Sequence, residues 1–185
     1  MGRRVLITGG TGLIGRALTA GLSRDGYDVV LLSRSPERAG GLPPGVRVER
    51  WDARTARGWG ALADGAWAVV NLAGEGIAAG RWTAARKRRI RDSRLDAGRA
   101  VVEAITAARG RPAVLVQASG VGYYGPCGGE EIREDAPPGR DYLARLAVEW
   151  EDSTAAVEAL GVRRAVVRTG IVLSASGGAL PRMML

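Results

Sequence analysis

The residues best placed to do chemistry lie near the start of the chain, in Arg3-Arg4-Val5-Leu6-Ile7-Thr8-Gly9-Gly10-Thr11-Gly12-Leu13-Ile14-Gly15. A short β-branched apolar run ends in a glycine turn, and an apolar-periodic helix begins at once. Gly10, Gly12 and Gly15 fit the spacing G-x-G-x-x-G, while Gly9, Gly12 and Gly15 fit a three-spaced version. Glycines so placed allow a tight turn out of the strand, close approach of the backbone to a pyrophosphate, and close helix–strand packing. The first turn of the helix adds free N–H groups and the positive end of its dipole. The pattern predicts a dinucleotide-binding strand–turn–helix, with Gly9, Thr11, Gly12, Leu13, Ile14 and Gly15 around the phosphates.

In such a fold the end of the second strand meets the adenosine ribose. An acid there bonds the 2′-hydroxyl of NAD, whereas an arginine accommodates the 2′-phosphate of NADP. Here the strand ends Leu31-Leu32-Ser33-Arg34-Ser35, with no acid until Glu37. Ser33 can donate a hydrogen bond and Arg34 a charge-assisted one, so NADP is expected, with NAD as the alternative. Asn71-Leu72-Ala73-Gly74 closes a later strand with small residues, which would let a ribose or nicotinamide near the backbone. Asp52, after Trp51, is placed to accept from the adenine amino group.

Composition removes other chemistries. The chain has 185 residues, 46% of them hydrophobic, enough for one substantial core. With no histidine, Ser-His-Asp catalysis and histidine zinc sites are excluded. One cysteine, Cys127, allows neither an internal disulfide nor a cysteine metal cluster, and no metal is expected. A net charge of +8 suits nucleic acid or an anionic nucleotide equally. The basic stretch 81–94 also carries Ile90 and continues into Ala97, Val101 and Ile105. That stripe faces a core and leaves the charge as a solvated face, so no nucleic-acid partner is expected. No apolar run approaches the roughly 18 residues of a membrane span. Leu6 stands where a myristoylation motif wants Ser or Thr. These points predict a cytoplasmic protein without a membrane partner.

The elements that must position these residues alternate. Strands are expected at Arg4–Thr8, Asp28–Ser33, Val46–Arg50, Ala66–Asn71, Ala113–Ala118 and Arg163–Arg168. Helices are expected at Leu13–Arg24, Thr83–Arg109 and Tyr142–Leu160, with a shorter piece at 56–63. Continuous apolar strands flanked by helices predict an α/β, doubly wound parallel sheet of Rossmann type with helices on both faces. Residues 1–168 would form the NADP-binding domain and 169–185 the start of an incomplete, apparently truncated substrate-binding lobe.

Six segments come in register: 8–15, Asn71-Leu-Ala-Gly74, Gly80-Arg-Trp-Thr83, Arg89-Ile-Arg-Asp-Ser-Arg94, Ala118-Ser-Gly-Val-Gly-Tyr-Tyr-Gly125 and Arg168-Thr-Gly-Ile-Val-Leu173. Together they resemble an atypical, extended-type branch of the short-chain dehydrogenases/reductases, the NAD(P)-dependent epimerase/dehydratase or sugar-nucleotide-epimerase-like proteins. The resemblance covers essentially the whole chain. It implies an NAD(P)-binding oxidoreductase or epimerase acting on a small molecule. Members commonly continue well beyond this length, and many pair through two helices per subunit. A homodimer through 83–109 and 142–160, with Leu143, Leu146 and Trp150 in contact, is therefore expected.

The superfamily's Tyr-x-x-x-Lys is absent, because Thr83 stands four residues before Lys87, the one lysine. The lysine of that pair lowers the tyrosine's pKa for proton exchange. The matching helix instead carries Asp141 and Arg145. Ser119 resembles the serine that orients a substrate carbonyl or hydroxyl, and Tyr123 and Tyr124 either exchange the proton or line the pocket. The runner-up expectation is a catalytically silent NADP(H)-binding sensor or scaffold. For the 185-residue chain alone, cofactor binding with little or no turnover is expected, since an open cleft neither excludes water nor fixes a near-attack geometry.

Overall fold

The computed structural model describes residues 3–78 and 80–184, without the side chains of 181 and 182. Six parallel strands, β1 (Arg4–Thr8), β2 (Asp28–Ser33), β3 (Arg47–Arg50), β4 (Ala68–Asn71), β5 (Val114–Gly120) and β6 (Arg163–Thr169), form one sheet. Their order is β3-β2-β1-β4-β5-β6, so the chain reverses its winding between β1 and β4. That is where a doubly wound sheet opens its ligand crevice.

Two cores account for the continuous apolar strands, because successive side chains point to opposite faces. Leu6, Val30, Leu32, Val69 and Leu115 point to one face. There they meet Ala97, Ala100, Val101, Ala104 and Ile105 of α2 (Ala84–Ala107), together with Trp51 and Trp59. Val5, Ile7, Val29, Leu31 and Val70 point to the other, against Leu18 and Leu22 of α1 (Leu13–Arg24). Helices thus cover both faces. The cover on the α1 side does not reach β6, where Val167 is 49% exposed.

Strand and helix starts follow the sequence pattern closely, but two expected helices are shorter. The third, α3, spans Tyr142–Asp152 and gives way to a 3₁₀ segment at Ala155–Leu160. The break has a packing cause. A Cβ on Gly98 of α2 would overlap the Ser153 side chain, so the chain turns where it crosses α2. At 56–63 only Gly60–Ala63 is helical, again 3₁₀. Thr83 and Asp141 cap α2 and α3, accepting from the amides of Arg86 and Ala144. After β6 a two-stranded ribbon, Leu173–Ser174 with Gly177–Gly178, lays its glycines against the Leu13 side chain, and a short helix follows at Leu180–Met183.

Buried Glu151 of α3 meets the sheet through an ion pair. Arg168 on β6 donates to Glu151 through Nε (2.8 Å) and Nη2 (2.9 Å), and Ser119 on β5 donates through Oγ (2.6 Å). Burial alone would raise the Glu151 pKa. The bonds from Arg168 and Ser119, with the nearby Arg168 and Arg164 charges, outweigh it and hold the carboxyl below its ordinary value. The unfolded chain therefore takes up this proton first as pH falls. The stability it contributes is complete above the ordinary glutamate range and disappears as pH drops through the lowered value. Glu151→Gln is expected to cost about 2–3 kcal/mol at neutral pH by leaving Arg168 without its anion. Urea unfolding at pH 7 and below pH 4 should show the wild-type–mutant gap shrinking on acidification. An unchanged gap would remove the pair from the stability of the fold.

Candidate functional site

The site begins where β1 ends. Gly9 takes φ +67°, and a Cβ there would stand 2.7 Å from the Leu72 carbonyl oxygen. A Cβ on Gly15 would overlap the backbone of Gly9 and Gly10. These two glycines bring the turn, the β4 exit and α1 together. Gly12 differs, since apart from the Gly9 oxygen at 3.3 Å its missing side chain faces open space. It caps α1 with no side-chain hydrogen bond, so the first amides of the helix point outward without an internal acceptor. Gly10 is also tightly placed, since a Cβ there would stand 2.5 Å from the Leu31 side chain, so both glycine spacings meet in this turn.

Gly9, Thr11, Gly12, Ser33, Arg34, Leu72, Ala73 and Gly74 line one cleft of about 420 Å³. Leu13, Ile14 and Gly15 line an adjoining hollow with Ser119, Val167 and Thr169. A polar ladder holds the cleft floor. Thr8 Oγ1 donates to Asn71 Oδ1 (2.6 Å) and accepts the Leu72 and Ala73 amides, both at 3.1 Å. Asn71 Nδ2 donates to Gln117 Oε1 at 2.9 Å. At the other end of the cleft, Arg34 and Arg38 face the space beyond β2. Neither has an ion pair among the described residues. Glu37, the nearest acid in sequence, is drawn off by Arg50 at 2.9 Å.

Asp52 does not line this cleft. Its carboxylate accepts the Arg54 and Thr55 amides (2.8 Å each) and the Thr55 hydroxyl, and the amide bonds hold its pKa below the ordinary value. It braces the loop that presents Trp51 and Ala53 to the cleft. Ala53 sits at φ 61°, the one described non-glycine residue in the left-handed region. Gly74 is close to the Arg94 guanidinium, 3.0 Å from where its Cβ would be, so its smallness serves Arg94 as well as any ligand.

The three residues expected to be catalytic are brought together, but as neighbours of an ion pair. Ser119 gives its proton to Glu151. Tyr123 and Tyr124 lie on a 3₁₀ turn (Val121–Tyr124) rather than a free loop. The Arg168 guanidinium stacks on the Tyr123 ring at 3.4 Å and donates to the Tyr124 hydroxyl at 2.8 Å. Neither tyrosine lines the cleft or the hollow. Glu151 and Arg38 escaped the sequence reading. The even spacing of Leu115, Gln117 and Ser119 on one strand face is the available signal that Ser119 looks toward α3.

Leu143, Leu146 and Trp150, expected at a dimer interface, line a cavity beside the cleft. The basic stretch is largely paired. Arg86 and Arg89 bind Glu75, Arg91 binds Glu149, and Lys87 lies over the Tyr142 ring. No group of potential metal ligands forms among the described residues, and no described helix is long and apolar enough to cross a membrane.

Known proteins share this architecture. The sequence profile of the NAD dependent epimerase/dehydratase family matches residues 5–184. The human epimerase family protein SDR39U1 is 39% identical over 185 residues, 98% of this chain and 59% of its own length. Its chloroplastic homolog in Arabidopsis thaliana is 39% identical over 97% of this chain and 52% of its own length. A crystal structure of the human protein with NADPH superposes with a TM-score of 0.81 at 36% identity, covering 98% of this chain and 58% of that one. A nucleoside-diphosphate sugar epimerase from Corynebacterium glutamicum gives 0.78 at 35% identity, covering 99% and 37%. This chain therefore spans between about half and three fifths of the two curated relatives. With the sheet order, the glycine turn and a match that runs along nearly its whole length, the chain belongs to the NAD dependent epimerase/dehydratase family.

Proposed function

We propose that the chain is the NADP(H)-binding part of an epimerase/dehydratase-like oxidoreductase acting on a small molecule. One observation carries the cofactor choice: at the end of β2 the cleft wall offers Ser33, Arg34, Ser35 and Arg38, and no carboxylate. The solved relative that holds NADPH supports the same choice. The outward amides of α1 would take the pyrophosphate, and Gly12 leaves it room. Arg34 and Arg38 would take the 2′-phosphate, and Trp51 with Ala53 would border the adenine. When bound, NADP(H) supplies reversible hydride transfer at its nicotinamide ring. The hollow lined by Leu13, Ile14, Leu72 and Ser119 is where that ring would be kept from water.

The chain's own proton chemistry is unusual. Ser119 is 5% exposed and its hydroxyl proton is already donated to Glu151. Glu151, held anionic by Arg168, is a weak proton acceptor at neutral pH. This favours a second reading, in which the site holds NADP(H) as a sensor or scaffold without turnover.

Calorimetric titration tests the cofactor assignment. NADP⁺ is expected to bind at least about tenfold more tightly than NAD⁺, and Arg34→Ala to remove about that factor for NADP⁺ alone. Equal wild-type affinities would overturn it. Ser119→Ala, made in a chain of the relatives' full length, separates the two functional readings. In a catalyst it lowers the rate of NADPH oxidation by about a hundredfold at unchanged NADP⁺ affinity. In a silent holder both proteins bind cofactor and neither oxidises NADPH with any of a panel of carbonyl compounds.

A further inference from the structure

Beside the cofactor cleft lies a larger cavity of about 840 Å³, within the range of small-molecule sites. The two share a border. Glu75 and Ser93 line the cleft, while their chain neighbours Gly76 and Arg94 line the cavity. The cavity also shares Trp150, Thr169 and Val172 with the hollow proposed for the nicotinamide. A substrate of the proposed site would lie here.

The wall is apolar almost throughout, built by Ile77, Val121, Leu143, Leu146, Ile171 and Met183. Arg94 is its one charged lining residue among the described side chains, and it is 92% removed from solvent, being 8% exposed. Its Nη1 donates to the backbone oxygens of Glu75 (3.0 Å) and Ile90 (2.8 Å), and its guanidinium stacks on Trp150 at 4.8 Å. No carboxylate pairs with it among the described residues, because Glu75 is taken by Arg86 (3.1 Å) and Arg89 (3.7 Å). Burial pushes its pKa below the ordinary value, against the opposing pull of Tyr142 and Glu75. Trp150 Nε1, also buried, has no hydrogen-bond acceptor among the described residues. A buried cation without an anion thus lies at an otherwise greasy wall, which the Trp150 side chain also lines.

A sugar ring is a poor match for such a wall, since most hydroxyls placed against it would lose their water partners and find few in return beyond Arg94 and Thr169. A guanidinium, by contrast, binds a flat oxyanion through parallel hydrogen bonds, and an apolar body fills the rest. We propose that the substrate of this site is an apolar molecule bearing a single carboxylate, anchored by Arg94, and not a nucleotide sugar. This deepens the NADP(H) reading and rests on it.

The test uses the chain saturated with NADP⁺ and three probes, 2-naphthoate, 2-naphthamide and UDP-glucose, titrated by calorimetry. Naphthoate is expected to bind at least about tenfold more tightly than its neutral amide and more tightly than UDP-glucose. Arg94→Gln should erase the preference for carboxylate over amide while NADP⁺ affinity stays as in wild type. Arg94→Lys should retain part of that preference. Should the Arg94 variants fail to fold, Val121→Asp decides, because an added anion on the exposed rim should weaken naphthoate about tenfold with Arg94 intact. The proposal is overturned by UDP-glucose binding more tightly than naphthoate, by equal affinity for acid and amide, by no naphthoate binding, or by a carboxylate preference that survives Arg94→Gln. Failure of NADP⁺ itself to bind the wild-type chain would instead overturn the cofactor reading, so the two failures are distinguishable.

Discussion

The ladder Thr8–Asn71–Gln117 is the constraint on which the site depends. Three polar side chains, each 0% exposed, join β1, β4 and β5 in the plane where the winding reverses. Each is oriented by its neighbour: Thr8 Oγ1 gives its proton to Asn71, which frees the Asn71 amide for Gln117, whose own amide turns to the Ala118 oxygen at 2.7 Å. Because Thr8 also accepts the amides of Leu72 and Ala73, the exit of β4 is held against the exit of β1. Gly9 can then approach Leu72 to a distance no side chain would tolerate. Buried polar groups are costly unless every partner is present. The ladder therefore specifies a single register at the strand ends, where apolar packing alone would allow sliding.

Arginine does different work at different depths in this chain. At the sheet's rim Arg47 and Arg4 hold Asp28, a solvated pair arrangement worth little by itself. In the interior the same side chain becomes a structural bolt. Arg168 binds Glu151 and packs on both tyrosines, so one residue joins β6, α3 and the 121–124 turn. Arg34, Arg38 and Arg94 form a third class, with no carboxylate partner among the described residues, and all three line hollows.

What could be read from the sequence divides along the same line. β1, α1 and β2 were legible because their signals are local: an apolar run, glycines at fixed offsets, and Ser33-Arg34 directly after a strand. The doubly wound parallel sheet followed from alternating strands and helices, while the order of its strands is visible only in the fold. The break after Asp152 was not legible, since its cause is Gly98 of α2 meeting Ser153 from 55 positions along the chain. Nor was the role of Ser119, whose partner Glu151 lies 32 residues away. Tyr123 and Tyr124 looked like free phenols for the same reason, with Arg168 more than 40 residues downstream of both. Asp52 looked free to meet an adenine because the donors it accepts from, the amides of its own turn, are invisible in a string of residue types.

The carboxyl edge of the sheet is thereby split into two solvents. On the β2–β1 side backbone amides and unpaired arginines make a wet, cationic wall that fits phosphate. On the β5–β6 side the wall turns apolar, and Arg94 and the Trp150 indole are its few polar points. Gly74 stands at the divide, small enough to let the Arg94 guanidinium lie under the cofactor cleft while donating to the next carbonyl, that of Glu75. A charge placed in that dry half acts at lower effective dielectric than the same charge in the wet half. The fold thus keeps the arginines proposed to meet phosphate, Arg34 and Arg38, where solvent weakens their charge. It places a single charge where one contact can discriminate.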